Sequence, residues 1–167
     1  CDVAIADSDP DRQLDQAIEM INNGVEVLII VPVDQKKAGD IVRYAHKNYV
    51  PVISYDRLVK DCNLDYYVST DNIAIGELQA NYLTKIKPSG KYGIIGGATT
   101  DNNAYLLNLG QMNILQPLIE KGDIEVVFNE FTSNWSLHEG YEITNKYLSE
   151  KNEGIDAIIA SNDNLAS

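Results

Sequence analysis

The chain has 167 residues, 44% of them hydrophobic, which is enough to bury a core and enough to divide into two small units. Lys and Arg number 13 against 25 Asp and Glu, giving a formal charge of -12 and a pI near 4.4. Binding to phosphates or anionic lipid needs concentrated positive surface, so this balance argues against a nucleic-acid partner and against peripheral membrane attachment. No run approaches the roughly eighteen apolar residues of a membrane span, so no membrane insertion is expected.

In chain order, the opening "CDVAIADSDP" has neither a charged n-region nor an apolar h-region. Its "VAIA" (3 to 6) is the first of six short apolar, β-branched runs. The others are "VEVLIIV" (25 to 31), "PVISY" (51 to 55), "KYGIIGG" (91 to 97), "IEVVFNEF" (124 to 131) and "IDAIIAS" (155 to 161). Runs of this kind predict strands buried on both faces. Helical periodicity falls between them: Leu14, Ala17, Ile18 and Ile21 share a face, as do Ala38, Ile41, Val42 and Ala45. Ile75, Leu78, Tyr82 and Ile86 repeat the pattern, and so do Leu107, Gly110, Ile114 and Leu118. Asp9-Pro10 reads as an N-cap with proline at the first helical position, and "NNG" (22 to 24) as a helix stop. The fold class is therefore α/β, with right-handed crossovers and parallel sheets.

After "PVISY" the chain runs through the polar "DRLVKDCNLD", makes a brief "YYVS" (66 to 69) and enters a helix at Asp71. This predicts a change of unit, with residues 1–69 in one lobe and 70–167 in another, and three strands in each. The chain opens on an expected strand and ends, "SNDNLAS", where a helix should start, as a piece of a larger protein would.

In open parallel sheets, ligands bind outside the carboxyl ends of the strands. Those ends carry Ser8 and Asp9, Asp34, Asp56 and Arg57, Asp101 to Asn103, Asn134 and Trp135, and Asn162 and Asp163. Carboxylates, carboxamides, one guanidinium and the only tryptophan suit a neutral polyol: the polar groups exchange hydrogen bonds with hydroxyls, and an indole packs on the C–H face of a sugar ring. A phosphate would call for a glycine-rich turn and surplus positive charge. Helix capping is the competing reading for Asp9, Asp71, Asp101 and Asn162, and core packing is the competing reading for Trp135. Arg57 is harder to assign to capping, because an N-cap needs an acceptor. Gly96 and Gly97 are expected to let backbone and ligand approach closely.

Nothing points to catalysis, a metal or a cofactor. His46 and His138 lack ligand spacing, and no GxSxG, HExxH, Walker or GxGxxG sequence occurs. Cys1 and Cys62 form no CxxC pair and are expected as two free thiols; Cys1 runs straight into "VAIA" without the tether a lipid-bearing residue would have.

The stretches "DRQLDQAIEMINNGVEVLIIVPVD", "VPVISYDRLV", "YYVSTDNIAIGELQANYL", "YGIIGGATTDNNAYLLNLGQM", "NWSLHEGYEI" and "IDAIIASNDNLA" resemble, in order, successive blocks of the bacterial sugar-binding proteins with the type I periplasmic-binding-protein fold, on the D-xylose-binding branch that serves ABC transporters. The resemblance implies two Rossmann-like lobes joined by a hinge and closing on a sugar. Carried over by motif, "YDR" implies Asp56 and Arg57 at sugar hydroxyls, and "DNN" implies Asp101 and Asn103 on the opposing lobe. "NW" implies Trp135 as stacking platform, and "SND" implies Asn162 as a further hydroxyl ligand. The expected function is capture of a monosaccharide, D-xylose first, outside the membrane or in the periplasm, with delivery to an ABC permease or a membrane sensor kinase. The alternative is the effector-binding domain of a LacI-type transcriptional repressor, which shares the fold. The family's first strand and helix, and its hinge return, fall outside this sequence.

Overall fold

A computed structural model describes residues 1–151 and 154–167. The chain divides into two compact units, one formed by residues 1–70 with 100–102, the other by residues 71–99 with 103–167.

The first unit contains α1 (Pro10–Asn22), β1 (Leu28–Ile30), α2 (Ala38–Lys47), β2 (Val52–Tyr55) and β3 (Tyr66–Val68). Helix α1 starts because the Asp9 carboxylate accepts from the Asp11 and Arg12 N–H groups, with Pro10 preset for the first turn. The strands form one parallel sheet in the order β1-β2-β3, with Leu28 opposite Val52 and Ile53 opposite Tyr66. Ala17 and Ile21 of α1 and Ile41, Val42 and Ala45 of α2 pack with Leu28, Ile30 and Val52. Burial at about 25 cal/mol per Å² of apolar surface makes this cluster the main stabilising feature of the unit.

Two strand expectations change here. Residues 3 to 6 join no ladder among the described residues, and Val3 and Ile5 are exposed; strand geometry persists where a neighbour pairs its N–H and C=O groups. A groove of about 990 Å³ is lined by both residues 1 to 8 and residues 23 to 31. The 25 to 31 run contributes only Leu28–Ile30, with Leu28 and Ile30 buried and Ile29 65% exposed, so its apolar run is covered on one face only. The third strand of this sheet is instead the short "YYV" at 66 to 68.

The second unit contains α3 (Asn72–Ile86), β4 (Gly90–Ala98), α4 (Asn102–Lys121), β5 (Ile124–Thr132), α5 (Leu137–Lys151), β6 (Ala157–Ala160) and α6 (Asp163–Ala166). Its parallel sheet runs β5-β4-β6. The central strand β4 is buried from Tyr92 to Ala98, as a continuous apolar run between two neighbours should be. Tyr92, Ile94, Leu115, Ile124 and Ile159 form its core.

The expected α3 face is not the buried one. Leu78, Tyr82 and Ile86 are 68%, 70% and 64% exposed, whereas Asn72, Gly76 and Ala80 are buried. The reason is a close helix crossing: a Cβ at Gly76 would lie 2.1 Å from the Leu107 carbonyl oxygen, and one at Gly110 would lie 2.0 Å from that of Ile73. Backbone meets backbone, so the small residues face inward and the large ones face out. Buried Gln111 donates to Gln79 at 2.8 Å in the same crossing.

Candidate functional site

At the carboxyl end of β2 the chain turns sharply. Asp56 adopts φ 62°, a left-handed conformation that costs a non-glycine residue about 1 kcal/mol and that Asp tolerates better than most. Hydrogen bonds hold it there. The Asp56 N–H donates to the Val68 carbonyl at 2.8 Å, and the Asp56 carbonyl accepts from the Ser69 hydroxyl at 2.6 Å and the Tyr67 hydroxyl at 3.2 Å. The Arg57 N–H donates back to the Tyr55 carbonyl at 2.7 Å, and the buried Ser54 hydroxyl donates to the Arg57 carbonyl.

This turn aims Arg57 at Asp101. Arg57 Nε donates to Asp101 Oδ2 at 2.8 Å, with the carboxylate side chain 2% exposed and the guanidinium 29% exposed. Asp101, which the family motif implies on the lobe opposite Arg57, belongs to the short 100–102 segment that groups with the first unit. The Thr100 carbonyl accepts from the Gln35 N–H at 3.0 Å there. The pair combines a directed multi-donor fork with a buried acceptor, the donor and acceptor types that grip adjacent hydroxyls. Arg57 also lines the groove described above, together with apolar residues (Val3, Ile5, Met20) and polar ones (Asp7, Gln13, Gln16).

In the second unit, Asn103 is 6% exposed in the first turn of α4. Asn162 caps α6, its Oδ1 accepting from the Leu165 N–H at 2.9 Å, so capping engages its carbonyl oxygen. Beside it, the hydroxyl of Ser161, 7% exposed, has no hydrogen-bond partner among the described residues. Trp135 lies in the connection between β5 and α5, half-buried against the cluster of Ile95, Phe128 and Leu165. Its Nε1 is buried without a partner among the described residues.

The glycines of β4 have a different role from the one expected. A Cβ at Gly96 would lie 2.7 Å from the Phe131 ring, and one at Gly97 would lie 2.1 to 2.3 Å from three atoms of the Trp135 indole. What approaches these glycines is aromatic side chains of their own unit.

Glu139 was not singled out by the sequence reading, yet it organises the connection that carries Trp135. Its carboxylate accepts from the Ser133 N–H at 2.6 Å, the Ser133 hydroxyl and the Asn134 N–H at 3.3 Å. Ser136 Oγ in turn accepts from the Glu139 N–H at 3.4 Å. Burial raises the Glu139 pKa, but the Ser133 and Asn134 hydrogen bonds and the His138 charge outweigh it and hold the carboxyl below its ordinary value. The signal was present: "SLHE" is an S-x-x-E capping box.

Other polar residues at the turns serve structure. Asp34 accepts from the Lys36 and Lys37 N–H groups, and Asp71 caps α3 through the Ala74 N–H. His46 pairs with Asp65 at 2.8 Å, and both cysteines are free thiols. Among the described residues no cluster of His, Cys, Asp or Glu fits a metal ion, and no helix is long and apolar enough to cross a membrane.

Two α/β units, each built on a parallel sheet, have the fold of the type I periplasmic-binding-protein class. The family model described as "Periplasmic binding protein domain" matches residues 1–167, and the chain belongs to this family. It is 38% identical to the D-xylose-binding periplasmic protein of Escherichia coli (strain K12) over 98% of this chain and 50% of that protein. A solute-binding protein of an ABC transporter from Clostridium phytofermentans, solved with bound beta-D-glucose, superimposes with a TM-score of 0.92 at 27% identity, over 99% of this chain and 56% of that one. The fructose-binding periplasmic domain of a hybrid two-component system superimposes with a TM-score of 0.86 at 25% identity, covering 99% and 54%. The chain thus spans about half the length of the relatives it matches.

Proposed function

We propose that this chain is part of the sugar-contacting region of a periplasmic solute-binding protein, a binder and not an enzyme, that takes a monosaccharide and presents the bound form to a membrane partner. The observation that carries this reading is the turn at the end of β2, where strained Asp56 sets Arg57 against the buried Asp101 carboxylate. A backbone held in a sparsely populated conformation to aim one guanidinium is typical of a functional site. Residues 1–69 would supply part of the N-terminal lobe and 70–167 part of the C-terminal lobe, with the 100–102 segment packed on the former. Asp56, Arg57, Asp101, Asn103 and Asn162 bind hydroxyls, and Trp135 stacks on the ring.

D-xylose is the proposed ligand, supported by the 38% identity to the E. coli D-xylose-binding protein. The other relatives are named for glucose and fructose, so the choice of sugar is the part to be tested. An ABC permease is the proposed partner, a membrane sensor the second reading, favoured by the likeness to the two-component domain. The E. coli relative and the two-component domain are named as periplasmic, which lends the repressor alternative no support.

The test is thermal unfolding of the full-length protein against a panel of pentoses and hexoses. A ligand at a hundred times its dissociation constant stabilises the folded state by about 2.7 kcal/mol. D-xylose is expected to raise the midpoint above every other sugar, and Arg57→Ala to abolish the shift. No shift with any sugar overturns the reading; a larger shift with a hexose keeps the function and replaces the ligand.

A further inference from the structure

We propose that Gly97 and Glu139 are positioning residues for Trp135: Gly97 by leaving room for its ring, Glu139 by clamping the backbone before it. The inference rests on the sugar-binding reading above and assigns to two residues outside the ligand set the task of orienting its stacking surface.

Three observations within the second unit support it. The first is contact: a Cβ at Gly97 would fall 2.1 Å from Cη2 and 2.3 Å from both Cζ2 and Cζ3 of Trp135. The benzenoid half of the indole therefore lies directly on the β4 backbone, and any side chain at position 97 lifts the ring. Gly97 does not have a positive φ, so space is its role. The second is the clamp. Both oxygens of Glu139 are engaged, Oε2 by the Ser133 and Asn134 N–H groups and Oε1 by the Ser133 hydroxyl, which fixes the two residues before Trp135. An ordinary capping box returns only to the N-cap residue; this one reaches three residues further back, past the tryptophan. The third is the buried indole Nε1, without a partner among the described residues. A buried donor that makes no bond does not orient its ring, so packing and the backbone clamp do so.

Stacking depends on the tilt of the platform, and a misplacement of about 1 Å at a binding surface has large effects. Gly97→Ala should therefore act on sugar affinity through Trp135.

The experiment is a double-mutant cycle in the full-length protein, with affinities for the sugar panel measured by titration calorimetry. Gly97→Ala is expected to weaken binding about tenfold, with the same sugar profile as Trp135→Ala, and to have less than about a twofold effect once Trp135 is already Ala. Glu139→Gln, which keeps a carbonyl acceptor, is expected to weaken binding about threefold, again only when Trp135 is present. Affinities within about twofold of wild type in the folded single variants, or effects that persist in the Trp135→Ala background, overturn the proposal. Glu139→Gln keeps the test available if Gly97→Ala does not fold. If the wild type binds no sugar, the functional reading fails by itself. The positioning claim is then read from the near-ultraviolet circular dichroism of Trp135, isolated by difference from Trp135→Phe. A band changed by both variants supports it, and an unchanged band refutes it.

Discussion

The ends of β2 and β5 solve one problem, how to hold a side chain still at a strand terminus, by opposite means. At β2 the means are polar: Asp56 is pinned by donating to Val68 and accepting from Tyr67 and Ser69, and an ion pair fixes Arg57. At β5 the ring of Trp135 is held by an absence, the missing side chain of Gly97 on a neighbouring strand, with one carboxylate steadying the backbone. The first constraint is expressed in the residues it acts on, whereas the second is expressed in a residue nearly forty positions away that shows nothing by itself.

The sharpest way to break this contrast is to fill space in each unit. Gly110→Ala puts a methyl 2.0 Å from the Ile73 carbonyl at the α3–α4 crossing, against backbone that cannot rotate away. Overpacking of this kind should destabilise by about 3 kcal/mol in denaturant unfolding. Gly24, after α1 in the first unit, has nothing within 4 Å of a built Cβ, and only its φ of 87° resists substitution, so Gly24→Ala should lose about 1 kcal/mol. Equal losses would show that the second unit does not depend on absent side chains.

A smaller effect tests the polar end. Arg57→Ala removes the cation beside a carboxylate that is 2% exposed, whereas Asp101→Ala removes the anion beside a guanidinium that is 29% exposed and reaches water. Losing the partner of the more buried charge is worse, so Arg57→Ala should destabilise by about 2 kcal/mol and Asp101→Ala by about 1 kcal/mol, measured without sugar. The reverse order would mean that the carboxylate, not the arginine, is the group the turn exists to place.

The same contrast explains what could be read in advance. Alternation of apolar runs and helical faces places β2, β4, β5 and β6 and the start of α3 at Asp71; of these strands β2 and β4 lie between neighbours, whereas the outer β5 exposes Glu125, Asn129 and Glu130. Arg57 stands out in the sequence because an N-cap needs an acceptor, and in the fold its guanidinium has a structural partner, the buried Asp101 carboxylate at 2.8 Å. The strand expected at 3 to 6 failed because pairing, not composition, makes a strand, and pairing is not local. The α3 face was misread for a related reason: periodicity counts large residues, and here Gly76 and Ala80 face in because Gly110 lets the backbones touch. Trp135 stands out in the sequence as the single tryptophan, whereas Gly97 and Glu139, which meet its ring and its connection, do not. A glycine's value lies in whatever comes to rest on it, and Glu139 stood in a capping box whose reach to Ser133 only the folded connection reveals.

The smallest expected effect is one of pH. Each unit holds a carboxylate below its ordinary value: Asp65 in the first, chiefly through the Val52 N–H and then the His46 hydrogen bond, and Glu139 in the second, where the Ser133 and Asn134 hydrogen bonds overcome the burial that raises it. A folded-state pKa below the unfolded one means that the unfolded chain takes up the proton first as pH falls. The stabilisation is therefore complete above the ordinary carboxyl value, 4.5 for Glu139 and 3.8 for Asp65, and is lost as pH drops through the lower folded values. Glu139→Gln should flatten the acid limb of the stability curve beginning near 4.5 and leave the part that begins near 3.8, which belongs to Asp65 and to Asp156, whose carboxylate the Lys91 N–H and then Lys87 hold below its ordinary value. Denaturant midpoints measured from neutral pH downward would show this as two curves that approach each other in acid. Curves that stay parallel would mean the clamp on the Trp135 connection does not depend on the charge of Glu139, and its hold would then have to come from shape, as at Gly97.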